Sequence, residues 1–288
     1  MIAFSKLGSY GRLGNQLFQY AFLRVTAQRL KTTFFCPTWE GDQIFDLKDK
    51  EIRAAAPRGI VHHFDSAPEG GFCPRALEIA DCSEIQGYFQ SEQYYPDKAL
   101  VKSWYSFRPE IVDSVESLFP RSLLEDAASI SLRLDQDYAN TREYFPLYQP
   151  SYYRRGLKRA AVTGPILVFA DRPDLAKTFI ASVVGNQCIL VEGLSPHQQL
   201  YLMTKCRANV ITNSTFAWWG AWLNLRDDRI IVAPSAWCRP GVPNTISGIL
   251  PEEWIKVRGT IPLWDNFQVW RIRHFKDTLR RFMTQRRH

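Results

Sequence analysis

The chain has 288 residues, 45% of them hydrophobic, with 9 Trp, 12 Tyr and 18 Phe, enough for one large or two medium domains with real cores. Its net charge of +7 favours anionic partners such as nucleotide phosphates, nucleic acid or an acidic membrane surface, without choosing among them. No run approaches the ~18 apolar residues of a bilayer span, and the opening MIAFSKLGSYG is too short an apolar run for a signal peptide. Cys36, Cys73, Cys82, Cys188, Cys206 and Cys238 show no paired spacing, so they read as reduced thiols of a cytoplasmic protein without a zinc site.

Ile2 to Leu7 reads as a first strand, followed by the glycine-rich turn Gly8 to Gly14. A helix starts at Asn15, with Leu17, Phe18, Ala21, Phe22 and Val25 on one face, and ends near Leu30 before a strand at Thr32 to Cys36. This strand, turn, helix, strand order opens a Rossmann-like half. The glycines let backbone approach a ligand, and Asn15 and Gln16 offer amides at the helix start. G-x-x-x-x-G-K-[ST] is absent, so the turn is no P-loop. From Trp39 to Ile79, Pro and Gly punctuate a loop-rich surface, and His62-His63 reads as a solvated loop. Glu84 to Tyr95 is a polar-aromatic block. It suits either a helix start packing tyrosines or a wall for a sugar.

Ile111 to Leu124 has a helical pattern, and a domain boundary is expected near Arg121 to Asp126. The expected organisation is a first Rossmann-like lobe over 1–124, a second over 125–260, and a helical tail over 261–288. In the second lobe, strands are expected at Ala127 to Leu132, Pro165 to Ala170, Gln187 to Val191, Ala208 to Thr212 and Arg229 to Ala233. Helices at Ser151 to Ala161, Pro173 to Ala181 and His197 to Cys206 alternate with them. Three strands end in Arg133, Asp171 and Asn213-Ser214-Thr215, where an open α/β sheet binds its ligand. A guanidinium suits phosphate oxygens, a carboxylate suits ribose or base donors, and a capped helix start suits phosphate. Taken singly, the helix start also fits an ordinary capped core helix, and Arg133 a salt bridge at a sheet end.

The motifs GRLGNQLFQYA, GYFQSEQYY, LVFAD, LYLMTKCRANVITNSTFAWWGAWLN, APSAW and LPEEWIKV lie in order over nearly the whole chain. They resemble the α-1,2-fucosyltransferases of the bacterial and animal type, an inverting family that uses GDP-fucose. The resemblance implies an α/β, GT-B-like fold of two Rossmann-like lobes with a cleft between them. It implies a nucleotide-sugar donor, a glycan acceptor ending in galactose, and no metal or other cofactor. By position, Arg133 matches the arginine that contacts the donor phosphates. Gly14, Asn15 and Gln16 match the turn facing the donor sugar. Asp171 matches the acidic strand end near the nucleoside, and Ser214, Thr215 and Phe216, after Asn213, match the diphosphate segment. Tyr88, Gln90 and Glu92 are acceptor-side candidates. Where the family has H-x-R-R/L-G-D-Y, this chain has SLRLDQDY, with Ser131 in place of the His. The base is then left open among Asp137, Glu92 and a water held by Asn15.

Trp264 to His288 carries Phe267, Phe275, Leu279, Phe282 and Met283 among many arginines. Such a basic amphipathic helix can lie on the inner face of a membrane as a peripheral contact, or pack across the lobes. No nucleic-acid-binding module is recognisable. The competing readings are a transferase of another nucleotide sugar and a catalytically weakened sugar-nucleotide-binding protein.

Overall fold

The computed structural model describes residues 1–66, 71–134, 144–184, 188–239, 242 and 246–259. The expected tail helix over 261–288 and Asp137 lie outside the described residues.

The first sheet contains β1 (Ile2–Ala3), β2 (Phe34–Phe35), β3 (His62–Asp65) and β4 (Ser83–Gln86), in the order β2-β1-β4-β3. All three pairings are parallel, with Ile2 opposite both Phe34 and Ser83. Helix α1 (Leu13–Arg29) follows β1. Its residues are buried nearly all round, because it lies between this sheet and a helix of the second lobe. It closes at Lys31, whose left-handed φ of 52° lets the Lys31 and Thr32 N–H groups return to Gln28 O and Ala27 O. Two expectations change here. His62-His63 is an edge strand rather than a loop, and Glu84 to Gln86 belongs to a strand rather than a helix start. Between these strands lies the short α2 (Gly41–Ile44), and after them α3 (Lys98–Ser103).

The helix expected over Ile111 to Leu124 is two helices, α4 (Pro109–Glu116) and α5 (Arg121–Leu124). Pro120 divides them, since it disfavours α geometry in the residue before it.

The second sheet has six parallel strands: β5 (Ala128–Leu132), β6 (Ile166–Ala170), β7 (Cys188–Leu190), β8 (Ala208–Val210), β9 (Ile230–Pro234) and β10 (Ile255–Val257). Their spatial order is β10-β9-β8-β5-β6-β7. Read from β7, this is the 3-2-1-4-5-6 order of a doubly wound dinucleotide-binding sheet. Crossovers run through α6 (Pro150–Arg159), α7 (Pro173–Val184), α8 (Pro196–Lys205) and α9 (Thr215–Trp222). A capping box starts α8, with Ser195 and Gln198 each bonding the other's backbone.

A single apolar cluster runs from Ile2, Phe4 and Phe18 of the first lobe into Trp218, Trp219, Trp222 and Ile231 of the second. Phe18 lies 4.5 and 4.9 Å from the rings of Trp218 and Trp219. The Trp218 indole N–H donates to Ile249 O at 2.7 Å. Two further clusters cover the faces of the second sheet, one under α6 and α7 and one under α4 and α8.

Buried thiols give this core a pH signature. Burial pushes Cys36 and Cys206 up to about 12 from an ordinary value of 9.0. The folded state therefore holds these protons longer than the unfolded chain does. The stability they contribute is complete below pH 9 and is lost as pH rises towards 12. Lys102, lowered to about 8 chiefly by burial, acts the other way between pH 8 and 10.5. Cys206→Ala is expected to flatten the fall in melting temperature from pH 8.5 to 10.5. A slope equal to wild type would refute the assignment.

Candidate active site

Strand directions bring two carboxyl edges face to face. In the second sheet the strand order reverses between β5 and β8, and Arg133 and the Asn213 turn leave those two strands. A crevice at such a reversal is where doubly wound sheets bind ligands. The Arg133 Nη1 donates to Asn213 O at 3.5 Å, so the guanidinium reaches across the reversal. Beside it, the Leu134 N–H donates to the Asp171 Oδ1 at 2.7 Å, which holds the ends of β5 and β6 together.

Helix α9 starts at this point. Ser214 is its cap, accepting from the Ala217 N–H at 3.4 Å. The N–H groups of Thr215 and Phe216 open the helix, where no preceding turn can accept them. The start of α1 lies directly on this end. A Cβ placed on Gly14 would lie 2.5 Å from Phe216 N and 2.6 Å from Thr215 C. The turn at Gly14-Asn15 and the turn at Ser214-Thr215 thus form one seam. On the first-lobe side, Gln90 Nε2 donates to Asn15 Oδ1 at 2.8 Å, which fixes the Asn15 side chain against the block after β4.

Several expected site residues do other work. Gln16 is 4% exposed, and its amide donates to Gly8 O and Gly11 O, shaping the glycine turn from behind. Asn213 is 1% exposed, and its amide donates to Pro146 O and Trp237 O, which ties two loops beneath the site. Ser131 is buried within β5, and its carbonyl accepts from the Tyr153 hydroxyl.

Glu92 differs most from its expected place. It is 5% exposed, with one oxygen 2.5 Å from Lys98 Nζ and the other accepting from the Trp222 indole N–H at 2.8 Å. Both oxygens are engaged in the core, so neither is placed to take a proton from an acceptor. Glu92→Gln is expected to cost about 1–3 kcal/mol in stability and to leave turnover per folded molecule nearly unchanged. A loss of about 10²–10⁴ in kcat at unchanged melting temperature would instead mark it as the base.

Sequence reasoning did not single out Tyr10, Lys6 or Asp65, and held Gln86 only as part of the Glu84 to Tyr95 block. Tyr10 and Tyr88 stack with ring centroids 4.7 Å apart at 13°. Lys6 Nζ donates to Gln86 Oε1 at 2.7 Å, and Gln86 Nε2 to Asp65 Oδ2 at 3.4 Å. For Asp65 and Gln86 the signal was the strand ends themselves, hidden in strands as short and half polar as β3 and β4. Among the described residues, no group of three His, Cys, Asp or Glu is placed to hold a metal ion. No helix among them is long and apolar enough to cross a membrane.

Residues 156–258 match the model of glycosyl transferase family 11. The matched stretch contains LVFAD, NSTFAWWGAWLN and LPEEWIKV, three of the motifs that carried the resemblance, and it supports a glycosyltransferase. The O-antigen biosynthesis glycosyltransferase WbnK of Escherichia coli is 23% identical, over 86% of this chain and 98% of that protein. An alpha-1,2-colitosyltransferase of Escherichia coli is 24% identical, over 86% of this chain and 96% of that protein. Among solved structures, POFUT1 in its apo form superposes with a TM-score of 0.51 at 12% identity, over 81% of this chain and 97% of that one. POFUT1 in complex with GDP-fucose superposes with a TM-score of 0.50 at 13% identity. At this identity the likeness shows the fold alone: GT-B, with two α/β lobes each built on a parallel sheet.

Proposed function

We propose that this glycosyltransferase moves fucose from GDP-fucose to the 2-hydroxyl of a galactose-type acceptor, with inversion. One observation carries the reading. Its two most specific motifs, GRLGNQLFQYA and NSTFAWWGAWLN, come from opposite ends of the chain and touch at Gly14 and Thr215-Phe216. The guanidinium of Arg133 stands beside that contact. In this reading the sugar C1–O bond to the β-phosphate breaks as the acceptor oxygen bonds C1 from the opposite face. Negative charge gathers on the departing diphosphate. Arg133 and the positive end of α9 offset it. The acceptor proton passes to a base, for which Asp137 and a water on Asn15 are candidates; the burial of Glu92 argues against it. Asp171 would sit nearer the nucleoside.

The reading involves no metal, so turnover in excess EDTA should equal that without it. It also places the enzyme in the cytoplasm, with its tail over 261–288 available to an anionic membrane face. The test is transfer from GDP-fucose to a β-galactoside, with the linkage read by NMR. A second reading has a specific basis, the relative named as a colitosyltransferase. In it, GDP-colitose replaces GDP-fucose at the same site. Product from GDP-colitose alone would select it, and no product from either donor would refute both.

A further inference from the structure

At the carboxyl edge of the first sheet, the neighbouring strands β1 and β4 both run out into segments that carry aromatic rings. The segment after β1 carries Tyr10, and the segment after β4 carries Tyr88, one of the acceptor-side candidates. Their rings stack across that edge, 4.7 Å apart and nearly parallel. Both tyrosines are half-buried, so the pair is neither lost in the core nor free in solvent. Beside it the strand ends line up polar groups in sequence: Lys6 after β1, Gln86 at the end of β4 and Asp65 at the end of β3, joined by the 2.7 and 3.4 Å bonds given above. The backbone is shaped to keep this edge tight. Gly87 has φ 153°, and a Cβ there would lie 2.1 Å from Ser66 Oγ.

This edge adjoins the seam. Tyr10 is next to Gly11, which packs on Asn15, and Tyr88 is two residues from Gln90, which bonds Asn15. A hexose has one face of C–H groups and a rim of hydroxyls. The first suits an aromatic ring, the second a row of amide, ammonium and carboxylate groups. We infer that the carboxyl edge of the first sheet is the acceptor platform: the Tyr10–Tyr88 stack receives the apolar face of a neutral β-galactoside, and Lys6, Gln86 and Asp65 receive its hydroxyls. This rests on the proposed transfer reaction and adds to it the residues that select the acceptor. Burial, the Tyr88 neighbour and Asp65 push the Tyr10 phenol up to about 12, so the ring stays uncharged through the working pH range.

The test uses the full chain and its Tyr10→Ala, Tyr88→Ala and Tyr10→Phe variants. GDP affinity is measured by calorimetry, and steady-state transfer to lactose is followed. The expected result is unchanged GDP affinity in all three. The KM for lactose should rise about tenfold or more in both alanine variants. Tyr10→Phe, which keeps the ring, should stay close to wild type. A fall in GDP affinity with lactose KM unchanged would overturn the inference by moving the stack to the donor. Equal KM in all proteins would overturn it too. Should an alanine variant not fold, Gln86→Leu, at the exposed rim, should raise the lactose KM, and a wild-type value would count against the platform. Saturation-transfer NMR with lactose alone keeps the two proposals separable, since it needs no donor. Lactose signal on wild type that is lost in Tyr88→Ala supports the platform even if no nucleotide sugar reacts. No signal on wild type from lactose, methyl β-galactoside or N-acetyllactosamine refutes it even if GDP-fucose is bound.

Discussion

Arg133→Ala is expected to lower transfer by about 10²–10³ in kcat, the usual cost of losing one donor to a developing negative charge. The fold should survive. Arg133 lies past the end of β5, outside the sheet, and is half-exposed. Melting temperature should therefore shift little, while GDP affinity falls with turnover. Lys at this position would restore part of the charge but not the planar fork that meets two phosphate oxygens, so Arg133→Lys should recover only part of the loss. Wild-type turnover in Arg133→Ala would remove this arginine from the site. It would leave the helix start alone to bind the diphosphate.

Gly14→Ala should be damaging out of proportion to the single methyl it adds, because that methyl falls on the seam between the two turns. The new carbon would sit 2.5 Å from Phe216 N and 2.6 Å from both Thr215 C and Thr215 Oγ1. Two of these atoms are backbone, held by the cap of α9 and by the tryptophans behind it, so the obstruction cannot swing aside as a side-chain tip would. Ala is the better helix former by about 1 kcal/mol, and in an exposed helix the change would stabilise. Here overpacking should prevail and cost about 1–3 kcal/mol net. Chemical denaturation measures it. Activity should fall further than stability, because the same displacement moves Asn15 and Thr215 apart. A variant as stable and as active as wild type would mean that the two turns do not meet as described.

The legible parts of the chain were those whose signal is local. The first β-turn-α unit announced itself through Gly8 to Gly14 and the period of Leu17, Phe18, Ala21 and Phe22. The strands of the second lobe are continuous apolar runs such as Ile166 to Ala170, bounded by polar ends. Their alternation with helices gave the parallel sheet, and their ends gave Arg133, Asp171 and Ser214. What escaped was set by distant partners. Strands β3 and β4 read His-His-Phe-Asp and Ser-Glu-Ile-Gln, short and half polar, and only pairing with β1 makes them a sheet. Glu92, flanked by polar residues and aromatics, looked like a residue facing a ligand. Its indole partner at Trp222 is supplied by the other lobe, and no local pattern could foretell that. Asn213 is similar: three polar residues in a row resemble a phosphate loop, yet the first of them is spent on two carbonyls below it.

The apolar cluster that passes from β1 and α1 into α9 and β9 has a consequence for how the molecule comes apart. Rossmann-like halves joined only by a tether can melt one after the other, each with its own heat-absorption peak. Here neither half can lose its structure without stripping Phe18 from Trp218 and Trp219. Calorimetry should record one endotherm, with van't Hoff and calorimetric enthalpies agreeing. For the same reason, the two lobes should keep their relative placement when substrate enters and product leaves.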